Sequence, residues 1–394
     1  MSAVAFFATG MHGHVNPLLP VVTRLAAQGH DVTFHAERAF ADEIEAAGAR
    51  VRPYPDGAAE ESRPPEPVTY IARISGRAVQ VLPGVLAHVG RDRPDLVVHD
   101  AACLWAPVAA RAVGAPTVAA FTTFAYDRRV PSPTATSPAL AAAALTHPSS
   151  VARYARARAA LRWRYGARGL PAVDVLDVRG RVNLVFTSPE VQPAAGSFDG
   201  SYRFVGPSVG SRPPAGPPLG ELRDPVVLAS LGTVYTTDRA LLRAFVGALA
   251  PLAGSLVLAT GRTDPASLGP LPPHVVARRF VPQPEVLARA ALFVTHAGAN
   301  SVNEALAAGV PMVLVPQGAD QPMVAHRVAE LGAGVVLEGR GIGRDAVHGA
   351  ARRVLGDPAF RGAAEGLRRA QHDAGGAARA VREIEDVLAQ VGTR

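Results

Sequence analysis

The chain has 394 residues, 48% apolar and 19% charged, which is enough to bury a large core in two or three domains and excludes global disorder. Its net charge of +7 comes from Arg alone, with no Lys anywhere; no run of like charge and no basic–aromatic interleaving occurs, so nucleic acid is excluded as a partner. Cys103 is the only cysteine, and no basic leader or uninterrupted apolar stretch of membrane-spanning length occurs, so the pattern predicts a cytoplasmic protein without disulfides or a membrane partner.

Residues 4–9 read as a short apolar strand, 10–16 as a loop, and 17–28 as a helix opened by Pro17 and stopped at Gly29. Strands at 31–35 and 50–53 flank a helix at 40–47. A helix at 79–89, a strand at 95–99, a helix at 105–113 and a strand at 116–121 follow. This βα alternation predicts an α/β fold with a parallel sheet covered on both faces. Residues 122–177 lack a clean period, and an Arg-rich helical stretch at 151–165 lies within them; long irregular insertions are usually functional loops or disordered. Strands at 182–187 and 202–205 complete a first domain, residues 1–210.

Residues 211–222 are rich in Pro and Gly and read as a linker to a second domain at 223–376. There the alternation starts afresh, with strands at 226–230, 255–259, 275–280, 292–295, 312–315 and 334–337. The tail, 377–394, carries a helix with Val381, Ile384, Val387, Leu388 and Val391 on one side, a stripe that must dock on something. Two such halves suggest ligand binding in the cleft between them, at the carboxyl ends of the strands.

The strongest motif runs from Phe293 to Glu304, Phe-Val-Thr-His-Ala-Gly-Ala-Asn-Ser-Val-Asn-Glu. An apolar strand, a tight turn of small residues and a helix start aim free backbone N–H groups at an anion, with the helix dipole in support. Gly298 permits close approach, and His296 and Ser301 can donate to phosphate oxygens. Many strand–helix turns are plain connections, so the neighbouring residues matter. Asp320 and Gln321 stand beyond the next strand on the same edge, able to hydrogen-bond sugar hydroxyls. Phe280 and Gln283 end another strand, and Ser230, Gly232 and Thr233 end the first strand of this half.

Phe280-Val281-Pro282-Gln283, the 295–301 turn with Ala299 and Asn300, Glu304, Gly309-Val310-Pro311 and Asp320-Gln321 resemble the nucleotide-sugar signature of the family 1 UDP-glycosyltransferases. The resemblance covers nearly the whole chain and is strongest to actinobacterial macrolide and antibiotic glycosyltransferases. It implies a GT-B fold, two Rossmann-like domains facing across a cleft, with the C-terminal helix crossing back to the first. It further implies nucleobase stacking at Phe280, diphosphate contacts from His296, Gly298 and Ser301, Glu304 on the ribose, and Asp320 and Gln321 on the sugar. Plant members carry Trp at the Phe280 and Ala299 positions, so plant donor preferences do not transfer. The UDP- or dTDP-sugar is a co-substrate, and no cofactor is expected.

The first βα loop, Gly10-Met-His-Gly-His-Val-Asn-Pro17, holds two histidines on the same cleft. A loop His of near-neutral pKa suits general-base work on an acceptor hydroxyl, although loop histidines are also commonly caps or surface residues. The family pattern Gly-His-x-x-Pro matches Gly13, His14 and Pro17, so the resemblance puts the base at His14, with His12 a neighbour contacting substrate. Asp100 follows a strand as the family's dyad aspartate does; by itself an Asp there is more often a helix cap. His99 reads as a strand residue. No Asp-x-Asp occurs, so no metal is expected.

The resulting expectation is an inverting, metal-independent transfer of a sugar to an apolar small molecule, with His14 as base and Asp100 its partner. Segments 70–89 and 121–165, including Phe121 and Tyr126, are expected to bind the acceptor, and the loop 130–138 to order on acceptor binding. The rivals are a nucleotide-sugar epimerase of the same fold, which needs acid/base carboxylates around the sugar, and a non-catalytic nucleotide-sugar-binding helper. Oligomeric state leaves no mark on the pattern, and a homodimer is compatible with it.

Overall fold

The computed structural model describes the chain except residues 56–65, 134–137, 172, 211–218, 233–238, 340–341 and 393–394. Most of the expected linker, part of the 130–138 loop, and Thr233 therefore lie outside the described residues.

Among the described residues the strands form two sheets with every pairing parallel. The first contains β1 (Ala3–Phe7), β2 (Asp31–Ala36), β3 (Arg50–Pro53), β4 (Leu96–Asp100), β5 (Thr117–Phe121), β6 (Val182–Val185) and β7 (Tyr202–Phe204), in the order β3-β2-β1-β4-β5-β6-β7. The second contains β8 (Val226–Ser230), β9 (Ser255–Ala259), β10 (Val275–Arg278), β11 (Ala290–Thr295), β12 (Met312–Leu314) and β13 (Gly334–Val336), in the order β10-β9-β8-β11-β12-β13. Each order reverses direction once, between β1 and β4 and between β8 and β11. At such a point the connections leave to opposite faces and open a crevice at the strand ends.

The strands are apolar runs because both faces are covered. In β1, Val4 and Phe6 enter one core layer while Ala5 and Phe7 enter the other. In β11, Phe293 faces one layer and Leu292 and Val294 the opposite one. Full burial of each large side chain contributes about 1.5–3 kcal/mol.

The helices of the first half are α1 (His12–Val15), α2 (Leu19–Ala27), α3 (Ala41–Ala46), α4 (Pro67–Asp92), α5 (Ala106–Val113), α6 (Pro138–Thr146) and α7 (Pro148–Tyr165). The helix expected at 17–28 starts later, with Pro20 in its first turn, and the preceding loop coils into the separate single turn α1. The helix expected at 79–89 is more than twice that length. Its early turns bury Val68, Ile71, Ala72 and Ser75, and it packs along α7. Two helices, not one, occupy the aperiodic middle, each with Pro in its first turn.

The second half adds α8 (Arg239–Leu249), α9 (Gln283–Leu287), α10 (Ala299–Ala307), α11 (Gln321–Glu330), α12 (Arg344–Gly356), α13 (Pro358–Asp373) and α14 (Gly376–Gly392). The apolar stripe of α14 docks on the first half: Ala380, Val381, Ile384 and Val387 share a core layer with Val21, Val22 and Leu25 of α2. None of the described helices is long and apolar enough to cross a membrane.

Candidate active site

The reversal between β1 and β4 carries the first cluster of polar side chains. Leaving β1, the chain passes Thr9 and turns at Gly10, where any Cβ would collide with the Glu37 carboxyl. It then coils into α1, which presents His14. Its Nδ1 stands 2.8 Å from Asp100 Oδ2 at the end of the adjacent β4. Asp100 is 1% exposed, and its remaining acceptor capacity is used: Thr9 Oγ1 donates to Oδ2 at 3.0 Å and the Ala102 N–H to Oδ1 at 3.2 Å. Thr122 Oγ1, just past β5, lies 3.2 Å from His14 Nδ1.

Burial alone would raise the Asp100 pKa, but the charge and hydrogen bond of His14, helped by Ala102 and Thr9, hold it below the ordinary carboxylate value. Burial alone would lower the His14 pKa; the charge and hydrogen bond of Asp100, with a further contribution from Asp320, raise it above 6.5. Asp100 and Thr122 thus occupy Nδ1, and Nε2 is the ring nitrogen neither of them engages. Next door, His99 points into the sheet, where burial lowers its pKa and its Nδ1 lies 3.0 Å from the Asp100 carbonyl.

The reversal between β8 and β11 carries the second cluster. After β11 the chain turns through Ala297, left-handed at φ 65°, and Gly298 caps α10 without a side-chain bond. The first-turn N–H groups of Ala299, Asn300 and Ser301 are therefore those of an uncapped helix start. The His296 ring sits between Gly232, φ 82°, and Gly298. A Cβ on either glycine would run into His296 Nε2, so both glycines are required by the imidazole itself. Burial pushes His296 down to about 4, against a hydrogen bond with the Ser230 backbone, and its Nδ1 is buried without a partner.

One turn into α10, the buried Glu304 accepts from Gln283 Nε2 at 2.6 Å and Asn300 Nδ2 at 2.9 Å, and Gln283 Nε2 also lies 3.2 Å from Ser301 Oγ. Phe280, next to Val281 at the mouth of this cluster, is 49% exposed; its ring is 6.4 Å from that of His12, which packs edge-on to Phe40 at 4.9 Å. The halves therefore meet across His12 and Phe280.

Asp320 and Gln321 follow the loop after β12. Asp320 makes no side-chain cap to α11; burial raises its pKa, opposed by the charge of His14 in the other half. Gln321 is only partly available, since its Oε1 already accepts from the Gln317 and Gly318 N–H groups at 2.8 and 3.3 Å. Tyr126, also expected to contact the acceptor, is 1% exposed and lies in an apolar core layer, with its hydroxyl 3.1 Å from Thr123 Oγ1. Phe121, expected to contact the acceptor, is a core residue: it is 1% exposed and packs on Tyr202 at 5.9 Å, because its place in β5 turns it into the layer shared with Ala119 and Val185.

Residues 243–385 match the erythromycin biosynthesis protein CIII-like C-terminal domain. The NDP-glycosyltransferase of Bacillus subtilis (strain 168) is 30% identical over 95% of this chain and 94% of its own length. The oleandomycin glycosyltransferase of Streptomyces antibioticus is 34% identical over 98% of this chain and 90% of its own. The crystal structure of the calicheamicin glycosyltransferase matches with a TM-score of 0.81 at 32% identity, covering 99% of each chain. The chain belongs to the macrolide and antibiotic glycosyltransferases of family 1.

The two sheets of this glycosyltransferase are the halves of a GT-B fold. Sequence reasoning missed Thr9 and Thr122, which hold the His14–Asp100 pair. The available signal was positional: each is a Thr at the point where an apolar strand ends on the edge that carries Asp100. It also missed how fully the glycosyltransferase assembles the Gln283–Asn300–Glu304 cluster from its own side chains, since an amide and a carboxylate 21 residues apart show no sequence period.

Proposed function

We propose that the protein transfers a sugar from a UDP- or dTDP-sugar to a hydroxyl of an apolar natural-product aglycone, with inversion and without a metal ion. The observation that carries this reading is the 2.8 Å contact between His14 and the buried Asp100. His14 Nε2 takes the acceptor proton as the acceptor oxygen attacks the anomeric carbon. The bond from that carbon to the diphosphate oxygen breaks as the new C–O bond forms, and the nucleoside diphosphate leaves from the opposite face. Asp100 fixes the tautomer with the proton on Nδ1 and stabilises the imidazolium formed.

In this reading the leaving diphosphate lies on the start of α10, near Gly298 and Ser301, where backbone N–H groups and the helix dipole meet its growing charge. His296, neutral at physiological pH, serves by a hydrogen bond rather than by charge. Phe280 stacks the nucleobase, Glu304 binds the ribose, and Asp320 with Gln321 holds the sugar near His14. The relatives named for oleandomycin and calicheamicin support an antibiotic-type aglycone.

The test is a mass-spectrometric screen of UDP- and dTDP-sugars against aromatic and macrolide aglycones, with and without EDTA. Proton couplings at the anomeric centre of any product report its configuration. Transfer with retained configuration, or full transfer by His14→Ala, would sink the mechanism. Loss of transfer on chelation would sink its metal-free part.

A further inference from the structure

The turn from Thr187 to Gln192 follows β6 and belongs to the first half by chain order, yet the second half holds it. Gln371 of α13 is 1% exposed and lies in its centre. The Ser188 N–H donates to Gln371 Oε1 at 2.8 Å, while Gln371 Nε2 donates to Asn303 Oδ1 at 2.7 Å and lies 3.3 Å from Thr187 Oγ1. Thr187 Oγ1 itself donates to Asn303 Oδ1 at 2.9 Å. From α11, Arg327 donates to the carbonyls of Glu190 and Val191 at 2.8 and 3.0 Å.

On its other side the turn grips the segment expected to bind acceptor. Gln192, also 1% exposed, accepts from the Ala125 N–H and donates to the Ala125 carbonyl, both at 3.0 Å, and its own N–H donates to the Ser188 carbonyl at 3.0 Å. Asn303 precedes Glu304 on α10. A continuous buried chain of hydrogen bonds thus runs from the loop carrying Tyr126, through Gln192, Ser188 and Gln371, to the helix whose start faces the donor. Around it Phe124, Tyr126 and Val191 pack into the same apolar layer as Ala299 and Val302.

Apolar contact between two halves is not directional and tolerates sliding. Buried amides are directional, and a half-satisfied one costs more than none, so the register is close to all-or-none. Relative motion of two halves is the default unless a large apolar interface holds them, and directional bonds add a fixed register to the apolar layers these halves share. We infer that Gln371 and Gln192 are positioning residues, which through the 187–192 turn set the acceptor loop in register with α10. The acceptor and donor labels rest on the function proposed above; the pivot rests on geometry alone.

Spin labels at Arg24→Cys on α2 and Arg352→Cys on α12, in a Cys103→Ala background of the full chain, read the separation of the halves by pulsed dipolar spectroscopy. The parent is expected to show one narrow distance. Gln371→Met keeps the volume, loses every bond of the amide, and should broaden that distance. Transfer kcat should fall about tenfold or more, while affinity for UDP or dTDP stays that of the parent, because the nucleotide rests on one half. Asn303→Asp, whose oxygen still accepts from Thr187 and Gln371, should keep the narrow distance and the rate; Asn303→Leu should lose both. A lowered melting temperature with distance and kcat unchanged in Gln371→Met would overturn the inference and leave a merely stabilising residue. If Gln371→Met does not fold, Thr187→Val carries the same test on two bonds, the one Thr187 donates to Asn303 and the one it accepts from Gln371. A parent that binds neither nucleotide, but whose distance broadens with Gln371→Met, would sink the proposed function and leave the pivot standing.

Discussion

The two strand-order reversals carry polar clusters of opposite electrical character. Between β1 and β4, His14 and Asp100 oppose two groups whose pKa values each move toward the charged form, His14 upward and Asp100 downward. Between β8 and β11 the histidine moves the other way, to about 4, and the carboxylate of Glu304 is answered by neutral amides. In the function proposed above, the same topological position serves twice, once for a proton and once for an anion. A proton acceptor needs a counter-charge that stabilises its protonated form. An anion site works through N–H groups that stay neutral, so that the full field of the ligand meets dipoles rather than a competing carboxylate.

The largest effect should come from His14→Ala. Its kcat is expected to fall about a thousandfold, with affinity for the nucleoside diphosphate unchanged by calorimetry. A comparable loss of nucleotide affinity would break the division of labour between the clusters. Asp100→Asn comes next, at about a hundredfold in kcat. It also carries a signed pH effect. In the mechanism proposed, the parent requires the base form of His14, so its kcat/KM should fall as pH drops through a pKa raised above 6.5. Removing the Asp100 charge leaves burial to dominate, so the acid limb should move to lower pH. A limb that moves up or stays in place would show that Asp100 does not control His14.

Gly298→Ala probes the other cluster. The new methyl meets His296 Nε2, so the ring and the start of α10 must part. Nucleoside diphosphate should bind about tenfold more weakly, with the shape of the pH–rate profile kept. An altered acid limb would mean that the clusters are electrostatically coupled more strongly than the charge interaction of Asp320 with His14 implies. The smallest expected effect is that of Thr9→Val, which removes one of the bonds to Asp100 and should lower kcat about threefold. Titration of His14 by NMR would then show a slightly higher pKa, because an Asp100 relieved of one donor holds its charge less well stabilised and pairs more strongly with the imidazolium.

Strands were the most legible part of the fold, because parallel strands covered on both faces must be apolar along their length; 226–230 and 255–259 are such runs. Helices in the 122–177 region were not. α6 is almost uniformly Ala and Leu, so no face stands out, and α7 buries only Ser150, Ala157 and Leu161 among its arginines. The early turns of α4, which pack along α7, mix buried Val68 and Ile71 with buried Ala72 and Ser75, small and polar residues that weaken the apolar stripe. At the site, the short-range motifs around His14 and His296 could be read directly. The core placement of Phe121 could not be read, because an aromatic at a strand end looks the same whether the sheet turns it to the cleft or to the core.

The sequence by itself determined two α/β halves, the loops that leave their strands, and the residue types able to take a proton or face a diphosphate. Those properties are local: they depend on apolar runs, on glycine turns and on side-chain chemistry within a few residues. Tertiary structure alone decided that Thr9 holds the Asp100 carboxylate across 91 residues of chain, and that Gln371 ties the halves together. A hydrogen bond acts over about 3 Å, so its partners are chosen by the order of strands in the sheet and the packing of the halves, not by spacing along the chain.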